Sequence, residues 1–137
     1  MIIDAKNLIL GRMASFVAKK ALLGEKIDVV NCEEAIITGS KKAILAKHQQ
    51  KRERGEPFHG PFFPKREDRI VKRAIRNMLP YKKERGEKAL KNIKCHTKVP
   101  NKFKNERLET IESANVSKIK NLKYMKIKEI SDFLGRT

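Results

Sequence analysis

The spacing of apolar residues along the chain predicts an alternation of short strands and amphipathic helices. Short runs containing β-branched or aromatic residues predict strands at residues 2–3, 27–31, 35–37, 93–97 and 124–127. Apolar residues at helical spacing predict helices at residues 11–23, 41–54, 67–79 and 82–92, and a final amphipathic turn at 130–134. The first strand, helix and strand together predict a right-handed βαβ unit with parallel strands.

The helix predicted at residues 67–79 divides clearly into two faces. One side is apolar and is expected to face the core: Ile70, Val71, Ala74, Ile75, Met78 and Leu79. The opposite side is basic: Arg69, Lys72, Arg73 and Arg76. Uncompensated like charges four residues apart destabilise a helix, so a partner that neutralises them is the better interpretation.

The chain is strongly basic, and the excess charge is concentrated in its middle. It has 137 residues, with 33 Lys plus Arg against 16 Asp plus Glu, a formal net charge of +17 and a pI near 10.1. Residues 1–40 carry equal numbers of acidic and basic side chains, whereas residues 41–91 carry 17 basic and 6 acidic ones. The first part is typical of a scaffold, and the middle part of a surface that faces a polyanion.

The length of the chain and its pattern of apolar residues also restrict the class of protein. A chain of this length fits one domain with a modest core. No apolar run approaches the length of a membrane span, and the first residues lack the pattern of a signal peptide, so we expect a cytoplasmic protein. Cys32 and Cys95 are both predicted in strands as reduced, buried thiols.

Residue patterns give little support for catalysis or for a metal site. The histidines fall in different predicted elements, which favours surface or phosphate-contacting roles: His48, His59 and His96. Asp4 and Asp28 lie near strand ends but are expected to act as turn or capping residues. Residues 38–41 (TGSK) superficially resemble a phosphate-binding loop but lack its earlier glycine, and Ser40 or Thr38 is expected to cap the next helix. A small α/β enzyme, a nucleotide-binding module and a DNA-binding protein remain alternatives.

The segment 55–64 is rich in Gly, Pro and aromatic residues, which predicts irregular structure. It carries Phe58, Phe62 and Phe63 close to further basic residues. Aromatic rings in such a segment either stack on unpaired bases or fill the domain's own core, and the sequence leaves both possibilities open.

Several blocks together resemble the family of the thirteenth universal large-subunit ribosomal protein. They are IDA at residues 3–5, LGRMAS at 10–15, VVNCE at 29–33, IITGSK at 36–41 and RAIRNMLP at 73–80, followed by Arg85-Gly86. The blocks occur in the family's order over about the first 95 residues. The His59-Gly60-Pro61 segment, residues 64–69 and the last forty residues are more similar to the archaeal branch. Asn77 is a departure, because many relatives have Gly there.

The resemblance implies a three-layer α/β/α fold with a mostly parallel four-stranded sheet. It implies one rRNA-binding domain over residues 1–137, with a basic, less regular extension from about residue 97. The implied role is a structural constituent of the large ribosomal subunit that supports early assembly, with no catalysis, cofactor or small-molecule substrate. The expected partners are large-subunit rRNA and neighbouring ribosomal proteins.

The predicted RNA contacts combine family positions with the basic surfaces described above. The resemblance assigns them to the start of the first helix, to the turn after residue 39, to the Arg69–Arg76 face and to the cluster after Pro80. The complete set is Arg12, Lys41, Lys42, Lys47, Lys51, Arg52, Arg54, His59, Lys65, Arg66, Arg69, Lys72, Arg73, Arg76, Lys82, Lys83, Arg85 and Lys88. The expected mechanism is charge neutralisation with recognition of RNA shape.

Overall fold

The structure is a computed structural model that describes residues 1–135. Its strands are β1 (Ile2–Asp4), β2 (Ile27–Val30), β3 (Ile36–Thr38), β4 (Ile93–Cys95) and β5 (Tyr124–Lys126). Its α-helices are α1 (Leu10–Leu22), α2 (Lys41–Glu53), α3 (Glu67–Asn77), α4 (Glu84–Lys91) and α5 (Ile127–Phe133). No helix within the described range combines the length and the apolar character needed to cross a bilayer.

The strands form two sheets, which corrects the expected four-stranded sheet. β1, β2 and β4 make a parallel sheet with β2 in the centre, so the predicted βαβ unit is confirmed. β3 pairs with β5 in a separate antiparallel sheet. The reason lies between β2 and β3, where Asn31 adopts a φ of +54° and a single-turn 3₁₀ helix, Cys32–Glu34, redirects the chain. A parallel bridge from Ile3 to Glu109 extends the first sheet by one residue pair.

The two faces of the parallel sheet are covered differently. Helix α1 packs on α3 and α4, which both pack on β4, around a core that includes Ile3, Val29 and Ile93. On the opposite face, Ile2 and Val30 pack with Phe103, and Val99 and Leu108 lie against that cluster. In the described part of the chain, this irregular segment covers the face where the family resemblance implied a second helical layer.

Helix α1 forms where the sequence predicts it, one residue earlier at each end. Its inward residues are buried, and three of them are alanines: Met13, Ala14, Val17, Ala18 and Ala21. Gly24 follows the helix with a φ of +94°, the left-handed conformation that favours glycine after a helix end.

Helix α3 confirms the predicted apolar face, with one correction. Ile70, Val71 and Ile75 are buried, whereas Met78 is 43% exposed. Met78 lies just beyond the last residue of α3, whereas Leu79, one residue further on, is buried as predicted. The Met78 sulfur accepts a hydrogen bond from the Ser15 hydroxyl at 3.3 Å.

The cysteine predictions are also corrected in part. Cys95 is in β4 as predicted but only half-buried, and Cys32 lies in the 3₁₀ turn rather than in a strand. Both are free thiols. A hydrogen bond with Cys95, together with burial, raises the pKa of Cys32, so its thiol is held in the protonated form.

The C-terminal part of the chain contributes to the same core. Met125, Ile127, Ile130 and Leu134 are buried in the main cluster. Lys126 donates to Glu34 with an Nζ–Oε2 distance of 2.6 Å, which ties β5 to the 3₁₀ turn.

Gly86 in α4 approaches the preceding turn too closely for any side chain. A Cβ at this position would lie 2.1 Å from the Pro80 carbonyl oxygen and 2.3 Å from its carbon. We expect Gly86→Ala to lower the free energy of unfolding by about 1–3 kcal/mol, because α4 must move away from the turn. Urea unfolding measures the change. Gly11→Ala is the control, because open space surrounds that position in α1, and it should stabilise by about 0.4–1 kcal/mol. Equal effects of the two substitutions would contradict the close packing.

The Glu34–Lys126 pair should make stability depend on pH. The hydrogen bond and charge of Lys126 lower the pKa of Glu34 from its ordinary value of 4.5. The unfolded chain therefore binds a proton at higher pH than the folded protein, and the stabilisation present above pH 4.5 is lost as the pH falls through the lowered pKa. Urea unfolding of wild type and Glu34→Gln should differ by about 0.2–1 kcal/mol at neutral pH and converge on acidification. A difference independent of pH would show that this ion pair is not responsible.

Candidate nucleic-acid interface

Phe63, in the segment between α2 and α3, gathers basic side chains from both helices. The Arg73 guanidinium carbon lies 4.9 Å from the centre of the ring, and Lys51 Nζ lies 5.6 Å from it. The His48 ring meets Phe63 edge-on, with centroids 6.0 Å apart. Cations are attracted to the negative faces of aromatic rings, so Phe63 holds basic residues of α2 and α3 side by side.

The three phenylalanines of the segment 55–64 have different surroundings. Phe63 is half-buried and packs against the core. Phe58 and Phe62 are 90% and 68% exposed. Only Phe63, therefore, has the core-filling role that the sequence left open, and the other two rings are accessible to a partner.

A cavity of about 340 Å³ separates α2 from α3. Ile37, Ile44 and Ile70 contribute apolar lining, and Lys47, Lys51 and Arg73 contribute positive charge. Among the described residues that line it, none is acidic. The cavity therefore combines an apolar interior with an uncompensated cationic border.

Helix α2 begins as predicted and packs through one edge. The Ser40 hydroxyl accepts a hydrogen bond from the Ala43 backbone N–H at 3.3 Å, which confirms helix capping. The Gly39 N–H donates to the Lys123 carbonyl at 3.0 Å and is therefore not free to bind a phosphate. Ala43 and Ala46 are exposed, because the buried edge of α2 is formed by Ile44 and His48.

His48 is a buried residue that sequence analysis placed at the surface. Its Nδ1 lies 2.8 Å from the Ile44 carbonyl oxygen, which can only accept, so Nδ1 carries the proton. Burial lowers the pKa of His48, and the charges of Lys51 and Lys47 lower it further. The ring is therefore neutral at pH 7, and Nε2 is a hydrogen-bond acceptor. His48 follows Ile44 by four residues, which places both on the same face of the helix, and this spacing was the sequence feature that indicated burial.

Lys51 shows that the cations around this cavity are crowded. Burial lowers the pKa of Lys51 most, and the neighbouring charges of Lys47, Arg73 and Arg54 lower it further. The folded protein therefore holds positive charges together at a cost in free energy that a bound anion would relieve.

The basic stripe of α3 lines a second cavity, of about 320 Å³, that reaches α4. Its basic lining residues are the four predicted ones: Arg69, Lys72, Arg73 and Arg76. The Arg76 guanidinium carbon lies 4.8 Å from the centre of the Tyr81 ring, a contact that sequence analysis missed. Arg76 Nε is buried with no hydrogen-bond partner in the described part of the chain. Lys72, Arg73 and Arg76 are half-buried, so the stripe is more enclosed than a solvated helix face.

A third cavity connects this stripe to the aromatic segment. It is lined by Phe62, Phe63, Lys65, Arg66 and Arg69, and it shares Phe63 with the first cavity and Arg69 with the second. The three cavities thus form one continuous surface. We call it the central basic surface, and its cations are Lys47, Lys51, Lys65, Arg66, Arg69, Lys72, Arg73 and Arg76.

Other predicted contact residues lie outside the central basic surface, and four of them have partners within the chain. Arg12 donates to the Ser113 carbonyl at 3.3 Å, and Lys41 pairs with Glu129 at 3.3 Å. Lys88 pairs with Glu84 at 2.6 Å.

His59 is the fourth predicted contact residue with a partner within the chain, because its Nε2 lies 3.8 Å from Glu56. The remaining predicted cations are exposed on α2, directly after its end or around the start of α4: Lys42, Arg52, Arg54, Lys82, Lys83 and Arg85.

The two aspartates near strand ends have different roles. Asp4 accepts hydrogen bonds from the Lys6 backbone and from Asn31, which confirms a turn role. Asp28 is not a capping residue, because its Oδ1 lies 2.8 Å from His96 Nε2. His96 also meets Phe103 edge-on, so the pair anchors the segment that covers the second sheet face. No cluster suited to a metal ion occurs among residues 1–135.

Comparisons with known proteins identify related sequences. A family model described as Ribosomal protein L13 matches residues 1–102. The large ribosomal subunit protein uL13 of Methanosarcina barkeri is 46% identical over 135 residues, covering 98% of this chain and 96% of the relative. The uL13 proteins of Methanopyrus kandleri and Picrophilus torridus are 43% and 44% identical, covering 98% of this chain and 86% and 96% of their own lengths. Because the family match spans most of the chain and the relatives span nearly all of it, the protein belongs to the L13 family of ribosomal proteins.

Proposed function

We propose that this protein binds large-subunit rRNA through the central basic surface and supports early assembly of the subunit. Its relatives are named as large-subunit ribosomal proteins, and it is a structural protein rather than an enzyme. Neighbouring ribosomal proteins are its further partners in this proposal.

The crowding of cations on the central basic surface carries the proposal. Lys72, Arg73 and Arg76 are half-buried, and no acid lines the cavity between α2 and α3 among the described residues, although Arg66 pairs with Asp68 at 3.2 Å. Burial lowers the pKa of Lys51 most and the charges of Lys47, Arg73 and Arg54 lower it further, and Arg76 Nε has no hydrogen-bond partner in the described residues. Phosphate oxygens would supply both the negative charge and the hydrogen-bond acceptors. Arg69, Lys72, Arg73 and Arg76 follow one another at i, i+3, i+4 and i+7, which lets one helix face follow a phosphate backbone.

Structured RNA suits this surface better than duplex DNA. The major groove of A-form RNA is deep and narrow, so proteins recognise its phosphates, its 2′-hydroxyls and its unpaired bases. The exposed rings of Phe58 and Phe62 are available to stack on such bases. A helix-turn-helix reader of DNA joins its helices by a turn of about 3–4 residues, whereas residues 54–66 separate α2 from α3.

The cations outside the central basic surface contribute less in this proposal. Arg12, Lys41, His59 and Lys88 already contact groups of the chain itself, and those contacts must be exchanged for phosphate contacts. The exposed residues add to the overall neutralisation: Lys42, Arg52, Arg54, Lys82, Lys83 and Arg85.

Replacing Arg73 and Arg76 by Gln should weaken binding to purified large-subunit rRNA and reduce its salt dependence. Each lost phosphate contact should lower the slope of log K against log salt by about 0.7–0.9. Filter binding over a series of salt concentrations measures the slope. Lys19→Gln is the control, because Lys19 is exposed on α1 outside the three cavities, and its slope should match wild type. An unchanged slope for the double variant would show that this face of α3 does not contact the rRNA phosphates.

The assembly role has a separate test in reconstitution of the large subunit from purified components. Omitting the protein at the start should reduce the incorporation of the ribosomal proteins that join later, because the folding of rRNA around the central basic surface would be incomplete. Quantitative mass spectrometry of the particles measures incorporation. If adding the protein last restores all components equally well, an early role is ruled out.

A further inference from the structure

The cavity between α2 and α3 leads to a more specific inference, which rests on the proposed rRNA binding. We propose that this cavity receives the base of one unstacked rRNA nucleotide, whose flanking phosphates are held by Lys47, Lys51 and Arg73.

The size and lining of the cavity fit a nucleobase. Its volume of about 340 Å³ lies at the small end of the range of roughly 300–1,000 Å³ for small-ligand sites. Ile37, Ile44 and Ile70 give it apolar walls, and Phe63 forms part of its lining. A base presents flat apolar faces and a polar edge, so it can bury the faces against these side chains.

Polar groups at the cavity match the edge of a base. His48 lines the cavity, and within the described chain only its Nδ1 has a hydrogen-bond partner. The neutral ring leaves Nε2 as an acceptor for an exocyclic amino group. Thr38 and Asn77 also line the cavity and provide a hydroxyl and an amide. A few polar groups on an apolar surface are the usual composition of a specific ligand site.

Charge distinguishes a nucleotide from an apolar side chain of a neighbouring protein. Lys47, Lys51 and Arg73 line the same cavity, and the described lining contains no acid. An apolar side chain would leave these charges crowded. A nucleotide would bury its base and bring its phosphates to the cations.

Small residues keep the cavity open. Ala43 on α2 and Ala74 on α3 both line it, and a leucine at either position would occupy part of its volume. Ala46, exposed on α2 and outside the cavity, gives a matched control of the same substitution.

The test measures the affinity of Ala43→Leu, Ala74→Leu and Ala46→Leu for purified large-subunit rRNA of Methanosarcina barkeri over a salt series. Stacking of a base on a protein surface accounts for about a 5- to 150-fold difference in affinity. We expect Ala43→Leu and Ala74→Leu to lose affinity within that range at every salt concentration, while the salt slope stays unchanged because the phosphate contacts remain. Ala46→Leu should bind like wild type.

The outcomes separate this inference from the proposed function. Suppose that the affinity of wild type for rRNA falls steeply as salt rises, and that the two cavity variants bind rRNA as tightly as wild type. The cavity then holds no base, and the inference fails while rRNA binding stands. If wild type does not bind rRNA, the proposed function itself fails. Because Ala43 is exposed, its variant remains informative should Ala74→Leu fail to fold.

Ultraviolet crosslinking of the wild-type complex gives a second measurement. Nucleotides attached to peptides containing residues 37–51 or 63–77 would support the inference. In the assembled subunit, a crosslink from these peptides to another ribosomal protein in place of RNA would overturn it and identify a protein side chain as the occupant.

Discussion

Mutual repulsion between the cations of α2 and α3 is the constraint around which this structure is arranged. Two helices that both carry excess positive charge lie next to each other with a cavity between them. Phe63 offsets part of the repulsion, because its ring attracts both Lys51 and Arg73. The apolar edges of the helices provide the rest of the attachment, through Ile44 on one side and Ile70 on the other. The surface is thus strongly charged and firmly positioned.

The parallel sheet and α1 supply the rigid base for that arrangement. Of these elements, β1, α1 and β2 come from residues 1–40, in which acidic and basic side chains balance, so their packing is not opposed by net charge. Helix α3 contributes to both the core and the central basic surface. Ile75 is buried in the core, while Arg73 and Arg76 extend into the cavities on its other side. Amphipathic spacing on a single helix therefore couples the stability of the domain to the position of its cations.

Local patterns predicted the helices well and the long-range pairing poorly. The two faces of α3, the start of α2 after Ser40 and the end of α1 at Gly24 all depend on neighbouring residues, which the sequence displays directly. The pairing of β3 with β5 joins segments far apart in sequence, and it depends on the left-handed Asn31 that turns the chain out of the first sheet. The basic stripe of the candidate site was predictable from spacing. The burial of His48, the role of Phe63 between two helices and the Arg76–Tyr81 contact were not, because each requires the relative positions of separate elements.

The placement of the C-terminal segment has a consequence for synthesis of the chain. The family match ends at residue 102, yet Glu109 bridges to β1, and β5 completes the small sheet with β3. Ile127, Ile130 and Leu134 are buried in the main core. Pairings between segments far apart in a chain form late and slowly, since a long loop must close first. A nascent chain that has emerged only as far as residue 102 would therefore hold an unfinished core, and folding would be completed only after residues 103–134 have emerged.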